Sequence, residues 1–202
     1  GSLWWSLGAG LCAGAATASS LLTAPVPPIL MGWLARWAPL GQRVPRLGLF
    51  LCGVLAVWGP LVALAAAAPR QAFFSVVTYH LVHRSPGFQR WDAQVLASWL
   101  DSPQGLLLVL LAGLGLLSLA RANGWQATRQ AEFRLCGWLV AGLGLLAALA
   151  RPTFPQYFLL LLPFAAILAS LGMEAIESRL SLATGPPWAT LLVMALLALG
   201  LV

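Results

Sequence analysis

Lysine is absent from this chain and acidic residues number five, so the net charge of +6 rests on eleven arginines. Charged side chains make up only 8% of the 202 residues, where a soluble globular domain carries about a quarter. No water-soluble class fits that composition. The missing lysine reads as genomic composition bias. The arginines punctuate hydrophobic runs instead of gathering on one soluble face, which excludes a basic stripe for nucleic acid. Cysteine is equally sparse: Cys12, Cys52 and Cys136 lie far apart inside apolar stretches with no CxxC or Cys/His pattern, so they read as small packing residues. There is no HExxH and nothing that resembles a nucleotide-binding loop. The basic n-region and cleavage site of a signal peptide are missing too. The chain opens at Gly1 and closes inside the apolar run LLVMALLALGLV, and it is expected to be an internal piece of a longer polytopic protein.

What is present is long, apolar and repeated. The charges leave six uncharged stretches, 1–35, 47–69, 102–120, 135–150, 152–173 and 180–202. A helix needs about 20 largely apolar residues to cross the ~30 Å hydrocarbon layer. Most of these stretches reach or approach that length, so the expected fold is all-α: a single polytopic transmembrane bundle over 1–202, with about six to seven membrane segments. The first stretch would be roughly 50 Å long as one straight helix, too long for a bilayer. It should break at Thr23-Ala24-Pro25-Val26-Pro27-Pro28, where three prolines remove amide donors and fix φ. Residues 3–22 then form one small-residue-rich helix and 28–38 a shorter second piece. Ser102-Pro103 has the form of an N-cap followed by a first-turn proline. Arg134 and Arg151 are placed to snorkel from the two ends of the short stretch between them.

Alternate charged zones set the orientation. Zones 36–46, 121–134 and 174–179 carry seven arginines against four for 70–101 and 151–155, so the first set is predicted cytoplasmic. The interfacial loop 70–104 and the turn 151–155 then lie on the extracytoplasmic face of a cell (inner or plasma) membrane. Zone 70–101 is too long for a simple helix link, usually about 2–8 residues, and is expected to contain helices lying in the interface. Phe73, Phe74, Val77 and Leu81 fall at helical spacing as an apolar stripe, while His80 and Arg84, four apart, share another face. Those two could contact a lipid phosphate or simply face water and headgroups. Reading His80-x-x-His83 as a metal site would require a third ligand. Asp92 and Asp101 are the only acids on the expected outer side and either could act as a general base, while Asp92, beside Arg90 and Trp91, could equally cap the helix that runs on to Trp99.

The most specific string is Arg151-Pro152-Thr153-Phe154-Pro155-Gln156-Tyr157 followed by Phe158-Leu159-Leu160-Leu161-Leu162-Pro163-Phe164. As structure it is the start of a membrane helix, with Pro155 in the first turn, Tyr157 in the aromatic belt and Pro163 kinking the span deeper in. As function, Arg151, Gln156 and Tyr157 would offer a charge, an amide and a phenol to an anionic group at a helix N-terminus.

RPTFPQYFLLLLPFAAILAS resembles the late membrane helix of the GT-C superfamily of polyprenyl-phosphate-sugar-dependent glycosyltransferases, which includes protein O-mannosyltransferases and lipid A aminoarabinose transferases. The helix LGAGLCAGAATASSLLTAPVPPILMGWLARW and the outer segment FFSVVTYHLVHRSPG follow in an order similar to that family. The resemblance implies the second half of such an enzyme's membrane core, transferring a sugar from a polyprenyl-phosphate-linked donor to a protein or lipid acceptor outside the cytoplasm. It implies donor-phosphate binding by Arg151 and Tyr157, with Gln156 beside them and His80 or Arg84 contributing, and no cofactor. The family's acidic catalytic residue follows its first membrane helix, a region with no counterpart in this chain, and Gln156 stands where relatives often carry a basic residue or histidine. A transporter or flippase half, with the Pro-broken helix lining a midplane site, and a non-catalytic assembly subunit remain the alternatives.

Overall fold

The computed structural model describes residues 3–78, 90–121, 131–150 and 153–179. Every regular element among them is helical. In chain order these are α1 (Trp4–Ser19), α2 (Val26–Trp37), α3 (Arg43–Ala67), α4 (Pro69–Phe73, continued as a π-helical turn to Thr78), α5 (Arg90–Asp101), α6 (Pro103–Arg121), α7 (Ala131–Leu149) and α8 (Leu162–Arg179). Short 3-10 turns, Leu21–Thr23, Leu40–Gln42 and Pro155–Leu160, precede α2, α3 and α8.

Among the described residues three segments are long and apolar enough to cross a bilayer: Leu40–Ala67, Pro103–Arg121 and Ala131–Leu149. This marks a membrane protein. The count falls short of six to seven because α1 and α2 are only 16 and 12 residues long and the apolar part of α8 ends at Ile176; residues 180–202 lie outside the described part. Leu51, Leu55, Leu61 and Leu64 of α3 are all exposed, as suits a helix whose outer face meets lipid tails.

Physical breaks occur near the prolines but not always where periodicity puts them. α1 stops at Ser19 because Ser20 is extended (φ −154°, ψ 126°), and the Ser20 hydroxyl accepts from the Leu22 amide at 3.3 Å. The helix expected over 3–22 therefore ends three residues early. Pro27 and Pro28 sit in the first turn of α2, where their missing amides cost nothing. Ser102 caps α6 as its sequence implies, accepting from the Gly105 amide at 3.0 Å. Pro163 does not kink a continuous span: the chain is 3-10 helical over Pro155–Leu160 and α8 begins at Leu162, so this proline lies in the first turn of a new helix. Of the stripe expected from Phe73 through Leu81, Phe74–Thr78 forms a π turn that shifts the i, i+4 register, and Leu81 lies outside the described residues. Phe73 and Phe74 are both exposed.

The bundle is two helical triplets. In the first, α1 and α3 run parallel with α2 returning between them. Without a hydrophobic force between helices in lipid, packing depends on close approach, which small residues permit. A Cβ at Gly10 would strike the Phe50 carbonyl oxygen, and one at Gly53 would lie 2.5 Å from the Leu7 carbonyl oxygen and 2.7 Å from the Leu11 nitrogen. About two turns farther along α1, the Trp58 indole donates to the Thr17 hydroxyl at 3.0 Å, whose own hydrogen is shared between the carbonyls of Ala13 and Gly14, leaving no polar cost between the helices. In the second triplet α6 and α8 run parallel, with α7 antiparallel to them and packed chiefly on α8. Here Gly115 meets the Leu168 carbonyl and Gly172 meets the Leu111 carbonyl.

Packing between the triplets runs chiefly through α2 and α7, which are antiparallel. Pro25 and Ile29 lie against Gly142, and the Trp33 indole donates to the Ala131 carbonyl at 3.1 Å. Arg134, read as a snorkelling residue, sends Nη2 to the Leu119 carbonyl at 3.1 Å, in the last turn of α6, where a cation suits the helix dipole.

The glycine contacts predict opposite outcomes for one substitution. Alanine favours a helix over glycine by about 1 kcal/mol, whereas overpacking against rigid backbone costs about 1–3 kcal/mol. Gly59→Ala and Gly113→Ala, which meet open space, should be neutral or slightly stabilising. Gly10→Ala and Gly115→Ala should destabilise by about 1–2 kcal/mol net. Denaturant titration in detergent micelles checks the split.

Candidate functional site

Arg36, Arg43 and Arg46 lie at the same end of the bundle as Arg121 and Arg134, where Trp33 reaches Ala131 and Arg134 reaches Leu119. At the opposite end, α5 lies against the turn that follows α7. Its sequence RWDAQVLASWLD buries Asp92 and Val95, three apart and hence on one helical face, and leaves Trp91 and Leu100 exposed.

Asp92 lies in the first turn of α5 and is only 2% exposed. Its Oδ1 accepts from the backbone amide of Thr153 at 2.8 Å. The neighbouring Trp91 indole donates to the Thr153 carbonyl at 3.1 Å, so two successive side chains of α5 hold both backbone groups of one residue. Thr153 is fully buried and its hydroxyl donates to the Ala150 carbonyl at 3.0 Å, tying the turn back to the end of α7. The acid expected to serve as base or helix cap thus clamps a turn 61 residues away.

Directly after the clamp the chain is extended at Phe154 (φ −116°, ψ 141°) and enters the 3-10 turn at Pro155. The Phe154 ring meets the Tyr157 ring edge-on at 5.4 Å and 85°, and the Tyr157 amide donates to the Phe154 carbonyl at 3.0 Å. Tyr157 is half-buried and Gln156 exposed, so an amide and a phenol stand at the rim just beyond the clamped residue. Arg151, His80 and Arg84 lie outside the described residues, as do His83 and Leu81. Among the described residues no group of three His, Cys, Asp or Glu side chains could hold a metal ion.

Thr153 and the indole of Trp91 were not singled out by sequence reasoning. Their pairing spans 62 positions and leaves no local pattern; the one available signal is an acid next to a tryptophan at the head of an amphipathic helix. No known protein family, curated protein or solved structure matches the chain.

Removing the carboxylate leaves a buried amide with no acceptor, a cost of about 1–3 kcal/mol. Asp92→Ala should therefore destabilise the protein by that amount, while Asp92→Asn, which keeps a carbonyl oxygen for the Thr153 amide, should lose less than half as much. Thermal unfolding in one detergent measures both.

Proposed function

We propose that this chain is the C-terminal membrane portion of an inverting glycosyltransferase of GT-C type, transferring a sugar from a polyprenyl-phosphate-linked donor to a protein or lipid acceptor. The observation that carries the reading is the Asp92–Thr153 clamp. It draws the turn leading to Gln156 and Tyr157 under an amphipathic helix at one end of an apolar bundle, the depth at which the phosphate of a lipid-linked donor sits. In this reading Arg151, Tyr157 and Gln156 bind the donor phosphate, with His80 or Arg84 contributing. Guanidinium and phenol donors suit phosphate oxygens, and a donor already activated by its lipid phosphate needs no nucleotide loop. The catalytic base belongs to a part of the enzyme outside this chain.

The same reading has six to seven membrane segments, with α1, α2 and α8 completing the three long spans, and the α5 end extracytoplasmic. Its support is the separation of arginines: Arg36, Arg43 and Arg46 gather with Arg121 and Arg134 at one end, and the clamp lies at the other. Cysteine at Gln71 in the full-length protein should react with an impermeant thiol reagent from outside, and cysteine at Gly41 should not. Reversed labelling would overturn the orientation.

Donor kinetics test the site. Lysine keeps the charge of Arg151 but not its bidentate fork, and phenylalanine keeps the ring of Tyr157 but not its hydroxyl. Arg151→Lys and Tyr157→Phe in the full-length protein should each raise the apparent KM for a polyprenyl-phosphate sugar about tenfold, equivalent to a lost interaction of ~1.4 kcal/mol, with membrane insertion unchanged. Unaltered KM in both variants would remove this turn from the donor site.

A further inference from the structure

The two triplets correspond element by element. In each, the first and third helices are parallel and exchange glycine-to-carbonyl contacts in both directions: Gly10 on Phe50 and Gly53 on Leu7 in α1–α3, Gly115 on Leu168 and Gly172 on Leu111 in α6–α8. The third-helix residues whose carbonyls take those contacts, Phe50 and Leu168, are each 0% exposed. In both triplets a 3-10 turn leads into the third helix, Leu40–Gln42 before α3 and Pro155–Leu160 before α8, and a proline follows in the first turn, Pro45 and Pro163. The triplets nevertheless point in opposite directions. Trp33 near the end of α2 meets Ala131 at the start of α7, while Pro25 and Ile29 near the start of α2 meet Gly142, so the middle helices are antiparallel and their flanking helices are reversed with them.

We infer that α1–α3 and α6–α8 are inverted copies of one structural unit, and that the two units rock as rigid bodies about the α2–α7 seam. Between the first and third helices of each unit backbone meets backbone, and close-packed contacts of that kind do not deform gradually. Across the seam, proline, isoleucine and tryptophan side chains meet α7, with one indole hydrogen bond, and such contacts re-form after a small rotation. Units of inverted topology joined at a midplane seam open one membrane face as they close the other. The clamp at Thr153 travels with the second unit, because Thr153 is bound to Ala150 at the end of α7. The inference does not rest on the glycosyl-transfer reading and holds for any substrate.

Four exposed positions test it: Leu40 and Leu64 on the first unit, at its two ends, and Ala120 and Leu149 on the second, likewise at its two ends. Spin labels at these sites in the full-length protein, reconstituted in phosphatidylcholine nanodiscs of short and long acyl chains, report pairwise distances by pulsed dipolar spectroscopy. The within-unit pairs Leu40–Leu64 and Ala120–Leu149 should give one narrow distribution in every lipid. The between-unit pairs Leu40–Ala120 and Leu64–Leu149 should be broad or bimodal, and should shift in opposite directions when the lipid is changed. Hydrogen exchange on the unlabelled protein provides a second readout, with faster exchange expected along α2 and α7 than at the glycine contacts. Fixed, narrow between-unit distances in all conditions, movement of both ends in the same direction, or broadening within a unit would each overturn the inference.

Discussion

Everything in this bundle depends on how closely two helix backbones can approach in a solvent that gives them no reason to associate. Lipid tails solvate leucine as well as another helix does, so dispersion at short range and satisfied polar groups must supply the attraction. Gly10, Gly53, Gly115 and Gly172 permit that range by placing nothing between one helix and the carbonyls of the next. Thr17 and Trp58 show the polar half of the same constraint, since a hydroxyl and an indole between helices are tolerated only because each finds a partner there.

The same economy governs the end where α5 lies. A buried carboxylate is costly unless it is hydrogen-bonded, and Asp92 meets a backbone amide that would itself be stranded without it. The Trp91 indole completes the arrangement by taking the carbonyl of the same residue. The position of Gln156 and Tyr157 follows from this clamp and from the edge-on ring contact with Phe154, so the candidate donor-binding turn is held by α5 and α7 together.

Charge played a different part at the arginine end. Arg43 donates to the carbonyls of Ala38 and Arg36, and Arg134 to that of Leu119, so two of the basic residues that mark the zone also close the exposed ends of α2 and α6. Arg36 stacks on Trp37 at 5.5 Å. A count of arginines by zone separates the ends of the bundle without showing that these side chains also complete helix termini.

Residue composition alone determined that the chain is helical and apolar, because arginine-punctuated runs near 20 residues leave no other way to satisfy a backbone in lipid. The break before Pro27, the cap at Ser102 and the separation of the arginine zones were legible for the same reason, each being a local consequence of a missing amide, a hydroxyl or a charge. The end of α1 at Ser20, the restart of α8 at Pro163 and the π turn after Phe73 were not, because periodicity continues through all three while the backbone does not. Only the tertiary structure decided which of the 20 glycines face a neighbouring carbonyl and that Asp92 serves Thr153. Those contacts join positions about 40 to 60 residues apart, and nothing in a one-dimensional pattern encodes a pairing that depends on the direction in which each helix returns.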